Sequence, residues 1–145
     1  MIAVDTNILV FAHRADAPAH AAAISALQTI AESPSSWAIP WPCVHEFISV
    51  VTHPHIYRPA STLAQAFAFT DSLMSSPSLQ LLAETPGYLD KLRQIAGAGR
   101  IVGARIHDAR IAALCAHHGV SELWTADRDF SMFPQLKIRN PLVQV

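Results

Sequence analysis

The chain has 145 residues, 51% of them hydrophobic and 14% charged, with ten Lys and Arg against eleven Asp and Glu. That length and composition suit one folded domain over residues 1–145 and exclude intrinsic disorder, while a formal charge of −1 excludes a uniformly basic nucleic-acid-binding protein. No apolar stretch approaches the ~20 residues that span a bilayer, and Asp5 interrupts the apolar start MIAVDTNILVFAH with no cleavage signal after it, so a soluble, cytoplasmic protein is expected.

Ile2, Ala3 and Val4 form a short apolar run ending in Asp5, the pattern of a buried parallel strand with a carboxylate at its carboxyl end. Thr6 and Asn7 are placed to cap a helix with Ile8, Leu9, Phe11 and Ala12 on its apolar face, which Asp16, Ala17 and Pro18 break. An Ala-rich helix over about 19–32 follows, then a strand at Trp37, Ala38 and Ile39, closed by Pro40. The next helix is expected to open at Pro42, with Val44, Phe47, Ile48 and Val51 inward. Glu46 lies off that stripe, three residues after Cys43 and four before Val50, so its neighbours along the helix are apolar and it is aimed at a cleft.

His53 to Pro59 reads as a loop, about 61–75 as a helix, Leu79 to Leu82 as a strand, and about 86–97 as a helix ended by Gly97 and Gly99. Residues 103–117 form a further helix, with Ile106, Ala109, Ala113 and Ala116 packed on one side and Asp108 in its first turns beside Ile111 and Cys115. Glu122 to Thr125 gives a strand that delivers Asp127, and Ile138 a last edge strand. Cys43 and Cys115 lie in apolar stretches without a C-x-x-C pairing and are expected to be buried and reduced.

The alternation predicts an α/β sandwich with a mostly parallel central sheet of about five strands flanked by helices, its site beyond the carboxyl ends of the strands where strand order reverses. Asp5 and Asp127 belong to that edge, and Glu46 and Asp108 reach it if their helices start there. Carboxylate oxygens are the hard ligands that Mg²⁺ and Mn²⁺ prefer, so the four together read as a divalent-metal site for phosphate chemistry. Unneutralised, some of them should have raised pKa values.

The start VDTNIL, the helical Glu46, the helix HDARIAAL and the segment TADRDF together resemble the PIN-domain family, specifically the VapC-type toxin ribonucleases of type II toxin–antitoxin pairs, and the ending WTADRDFSMFPQLKIRNPL is similar to that family's C-terminal end. The resemblance covers nearly the whole chain. It implies a three-layer sandwich, Mg²⁺- or Mn²⁺-dependent RNA cleavage, a homodimer, and neutralisation by a small VapB-like antitoxin protein. Asp5, Glu46, Asp108 and Asp127 match the family's catalytic and metal-binding acids, with Asn7, Thr125 and Asp129 as accessory positions. Asp127 is favoured over Asp129 as the fourth acid.

Within that frame Asp5 and Asp108 are the expected metal ligands, Asp127 a direct or water-mediated one, and Glu46 a second-metal ligand or water-positioning base; whether one or two ions bind stays open. Thr6 and Asn7 either hold Asp5, donate hydrogen bonds to substrate, or cap the helix. Arg14, Arg58, Arg105, Arg110 and Arg128 are candidate RNA phosphate contacts, with Arg105 and Arg128 best placed, within three residues of Asp108 and Asp127. The eight histidines lack the Cys or acidic partners of a transition-metal site. Two other functions compete: a catalytically silent PIN-fold RNA-binding module, and an aspartyl phosphotransfer domain, which Asn7 disfavours because it stands where a second Asp is needed.

Overall fold

The computed structural model describes residues 1–143; positions 144 and 145 of the expected domain lie outside the described residues. Five strands, β1 (Ile2–Val4), β2 (Trp37–Pro40), β3 (Leu79–Leu82), β4 (Glu122–Trp124) and β5 (Ile138–Arg139), form one sheet in the order β3-β2-β1-β4-β5. Every pairing is parallel, with Ile2 opposite both Trp37 and Glu122, and Val4 opposite Trp124. The expected "mostly parallel" sheet is therefore wholly parallel, an α/β sandwich whose crossovers place helices on its faces.

The helices are α1 (Thr6–His13), α2 (His20–Glu32), α3 (Trp41–Val51), α4 (Leu63–Met74), α5 (Tyr88–Ala98) and α6 (Ile106–His117). In packing, α1 meets α2 and α3, α3 meets α4, and α5 lies along α6. The middle strands are apolar on both faces, as burial between helix layers requires: Ala3, Val4, Trp37, Ala38, Ile39 and Leu123 are all fully buried. No helix among the described residues is long and apolar enough to cross a membrane.

Several boundaries differ from the sequence-based expectations, each for a local reason. The cap of α1 is Asp5 itself, whose carboxylate accepts from the Thr6 N–H, rather than Thr6 or Asn7. Helix α3 opens one residue earlier, at Trp41, with proline in its first turn. Helix α5 starts at Tyr88 because Gly87 holds a positive φ of 94° in the turn before it, and it runs through Gly97 to end at Gly99. Residues 103–105 form a separate 3₁₀ turn, so α6 starts at Ile106, which is exposed rather than packed inward. Strand β4 stops at Trp124, leaving Thr125 just beyond its end.

Going from β1 to β2 to β3 the chain steps one way across the sheet; it then crosses back to β4 and β5 on the other side. The reversal falls between β1 and β4, and the crevice beyond their carboxyl ends is where this topology opens a site.

Candidate active site

Asp5 and Thr125 are the residues that follow β1 and β4, and they are tied to each other. The Thr125 hydroxyl donates to Asp5 Oδ2 at 2.7 Å while accepting from the Asp127 N–H at 2.9 Å. Thr6 N–H reaches Asp5 Oδ1 at 2.8 Å, and the buried Cys43 thiol approaches the same oxygen at 3.5 Å. Asn7 spans the two strand ends: its Nδ2 donates to Thr125 Oγ1 at 3.2 Å and, at 3.4 Å, to Asp5 Oδ2, and its Oδ1 accepts from the Ala126 N–H at 3.0 Å. Asn7 and Thr6 thus hold Asp5 and its surroundings.

Asp5 is only 4% exposed, and burial pushes its carboxyl above the ordinary range; the hydrogen bonds from Thr125, Thr6 and Cys43 pull it back, and the charge of Glu46 pushes it further up. Burial likewise raises the Cys43 thiol, and with the charge of Asp5 takes Cys115 to about 12, so both cysteines are neutral thiols.

The other acids arrive from three further elements. Glu46, on α3, accepts from the Thr6 hydroxyl at 3.1 Å. Asp108, half-buried in the first turn of α6, has its carboxyl pushed up by burial and then by the charges of Asp127 and Asp129, against the weaker pull of Arg105 and His107. No hydrogen bond enters that balance. Asp127 caps the 3₁₀ turn Arg128–Met132 by accepting from the Asp129 N–H at 2.9 Å.

Asp5, Glu46, Asp108 and Asp127 all line one cavity of about 210 Å³. Asp129 is exposed and outside that lining, though close enough for Asp108 to feel its charge. Among the described residues, no three His, Cys, Asp or Glu side chains converge tightly enough to cage an ion by themselves. The donor set nevertheless fits a hard cation. It is all oxygen, two of its carboxyls are held above their ordinary range by burial, and Mg²⁺ normally keeps several waters and takes only one or two carboxylates.

The arginines divide. Arg14 is engaged within the protein, bound to Asp16 at 2.7 and 2.9 Å and to the Ser61 hydroxyl at 3.1 Å, and so are Arg110, paired with Glu84 at 2.7 Å, and Arg58, which donates to the Pro54 carbonyl at 3.3 Å. Arg105 is exposed, 3.5 Å from the Met132 sulfur and near enough to act on Asp108, and Arg128 is exposed beside Asp127. His117 and His118 serve structure: His117 meets Thr85 Oγ1 at 2.7 Å and His118 the Ala83 carbonyl at 2.7 Å, fastening the end of α6 to the segment after β3. Their ring centroids lie 4.9 Å apart in an edge-on arrangement. Trp37 and Trp124 are buried, and Trp41 is exposed and stacked on His45.

Sequence reasoning missed two contributors. Cys43 contacts Asp5 across 38 positions, and its spacing of one turn before Glu46 was the available clue. Tyr57, from the loop between α3 and α4, lines the cavity with no local signal at all.

A match to the PIN domain spans residues 2–135. The chain belongs to the PIN-domain family. Within it the chain is of the VapC type: it is 32% identical over 142 residues to VapC ribonuclease Mb2897 of Mycobacterium bovis, covering 98% of this chain and 96% of that protein. It is also 28% identical over 137 residues to ribonuclease VapC48 of Mycobacterium tuberculosis, covering 94% of each. Among solved structures, VapBC2 from Rickettsia felis, bound to a DNA fragment from its promoter, superposes with a TM-score of 0.71 at 19% identity, covering 97% of this chain and 98% of that one. This last likeness is one of fold, and the PIN fold accounts for the position of the acid-lined cavity at the sheet's switch point.

Proposed function

We propose that this PIN-domain protein is a Mg²⁺-dependent endoribonuclease, with Mn²⁺ able to substitute, acting in the cytoplasm as the toxin of a toxin–antitoxin pair. The observation that carries the reading is the gathering of Asp5, Glu46, Asp108 and Asp127 on one cavity from four separate elements. Relatives named as ribonucleases over nearly the full length support RNA as the substrate, and the paired VapBC assembly of the structural neighbour supports a VapB-like antitoxin as partner. A homodimer is part of the same reading.

When bound, the cation supplies a lowered pKa for an attacking water and neutralisation of charge at the phosphate. Asp5 is the fixed ligand, its carboxylate oriented by Thr125 and Thr6. Asp108 supplies the second ligand from α6, and Asp127 joins directly or through water. Glu46, held by the Thr6 hydroxyl, takes a proton from the attacking water or orients it. Arg105 and Arg128 at the rim are the candidate phosphate contacts, and Asp129 stays in reserve behind Asp127.

The test is cleavage of a mixed cellular RNA pool with Mg²⁺, Mn²⁺ and EDTA by wild type, Asp5→Asn and Asp108→Asn. Metal-dependent fragments lost in both variants are expected. A second reading, a silent RNA-binding module, draws on the absence of three converged ligands among the described residues; RNA binding without fragments in any metal would select it.

A further inference from the structure

The carboxylates account for only part of the cavity they line. Beyond the acids and the polar Thr6 and Asn7, its wall is apolar, built from Val10 and Phe11 on α1, Val50 on α3, Ile111 on α6, Phe130 after β4 and Tyr57 from the loop after α3. The helices that present acids also present this wall: Val50 stands four residues after Glu46 and Ile111 three after Asp108, so each shares a face with its acid. A hydrated cation and a phosphodiester make no use of such a surface. A flat, apolar-faced group attached to that phosphodiester does.

Tyr57 is the member of the wall whose setting is most elaborate. The Arg14 guanidinium carbon lies 4.4 Å from the centroid of its ring. That guanidinium has little freedom, because Asp16 holds it by two hydrogen bonds and Ser61 by a third, and the Arg14 side chain is only 12% exposed. A cation over a tyrosine ring is attractive, so Arg14 adds to the core packing of Tyr57 in holding this loop-borne ring in place.

We propose that this wall is a nucleobase pocket, with Tyr57 contacting one base of the RNA strand next to the cleaved phosphate and Arg14 acting as a positioning residue for the ring. The proposal rests on the RNA reading above and adds a specificity element to it. Bases of single-stranded RNA are recognised largely by stacking on aromatic side chains, whereas the hydroxyl-rich ribose gains little from an apolar wall. An apolar side chain of a protein partner has similar chemistry. The continuity of the wall with the carboxylates favours the base, since a phosphate held at the acids carries its neighbouring base into the same cavity.

The experiment couples a base to the ring. Short single-stranded RNAs with an abasic site at each position in turn are titrated against Asp108→Asn protein, alone and with Tyr57→Ala, Tyr57→Phe, Tyr57→Leu or Arg14→Gln added; the same RNAs are then cut by wild type in Mg²⁺. One abasic position is expected to weaken binding by roughly 5- to 150-fold, the range for stacking one base on an aromatic side chain. That penalty should vanish with Tyr57→Ala, persist with Tyr57→Phe and shrink with Arg14→Gln, and the position should flank the cut. If the Ala variant does not fold, Tyr57→Leu keeps the apolar volume without the ring. A penalty that survives loss of the ring, or the absence of any such position, overturns the pocket even if wild type cleaves normally. Coupling without metal-dependent cleavage supports the pocket and removes the nuclease reading.

Discussion

At the amino end of β4, Glu122 accepts from the Trp124 indole N–H at 2.8 Å and pairs with Lys137 at 3.3 Å. Burial alone would raise its carboxyl, but these partners outweigh burial and hold it below the ordinary range. At the carboxyl ends of β4 and its neighbour β1 the balance reverses. Burial dominates at Asp5 despite three hydrogen bonds, and at Asp108 burial is reinforced by the like charges of Asp127 and Asp129. One end of the sheet neutralises its carboxylate within the protein; the other accumulates carboxylates that the protein leaves uncompensated. Unrelieved charge of one sign on a cavity is costly to the folded chain alone and becomes favourable only when something of opposite charge enters. The contrast therefore separates scaffold from site without reference to relatives.

The largest effects should come from the uncompensated end. Asp5→Asn and Asp108→Asn are each expected to lower RNA cleavage by about 10²–10³-fold, the scale for removing one group that stabilises transition-state charge. Their stabilities should move in opposite directions. An Asn at position 5 turns an amide toward the donors Thr125, Thr6 and Cys43, leaving a buried donor unmatched, and should cost about 1–3 kcal/mol. An Asn at position 108 loses no hydrogen bond to the protein and relieves repulsion, so metal-free Asp108→Asn should melt above wild type. Thermal unfolding in EDTA reads both, and equal shifts of the same sign would break the comparison.

Thr125→Val comes next. It removes the hydroxyl that joins Asp5 to the Asp127 backbone while leaving the strand contacts in place, and should weaken metal response or activity by about 10- to 100-fold, as loss of a ligand's orienting partner does. Thr125→Ser should restore it. A Val variant with an unchanged Mg²⁺ dependence would show that Asp5 needs no such support.

How far this arrangement could be read in advance follows the length scale of each cause. Strand β1 ending in Asp5, the helical Glu46 and the helix bearing Asp108 all rest on apolar periodicity within a few residues, and the structure places them as that periodicity suggests. The start of α5 was misplaced by two residues because the turn depends on the positive φ of Gly87, which a Thr-Pro-Gly string does not specify uniquely. Tyr57 was illegible for a different reason: tertiary packing, not local propensity, puts it on the cavity, and Cys43, which reaches Asp5 by tertiary packing too, offered only its spacing one turn before Glu46. The engagement of Arg14 lay within reach, since Asp16 is two residues away, but an arginine near a site invites a substrate role before an internal one.

A pH series turns the contrast into two curves of opposite sign. Asp108 has a folded-state pKa above its unfolded value of 3.8, so its charged form is penalised in the folded protein at neutral pH, and the penalty fades as pH falls toward that value. The stability advantage of Asp108→Asn over wild type should therefore be full near neutrality and shrink on acidification. Mg²⁺ should reduce it at neutral pH by binding wild type more tightly than the variant. An advantage that grows in acid would mean that repulsion is not its source.

Glu122→Gln is the smallest expected change and runs the other way. Its folded-state pKa lies below the unfolded 4.5, so Glu122 contributes stability that is fully present above 4.5 and lost as pH falls through the folded value. The variant should be less stable than wild type at neutral pH, by less than about 1 kcal/mol because Lys137 is largely exposed, and the two should converge in acid. Urea midpoints at neutral and acidic pH measure this, and RNA cleavage should be unchanged because Glu122 sits at the opposite end of the strand from the cavity. If Glu122→Gln instead stabilises the protein at neutral pH, its desolvation outweighs its partners, and the distinction between the two ends of the sheet lies in their openness to ligands rather than in charge compensation.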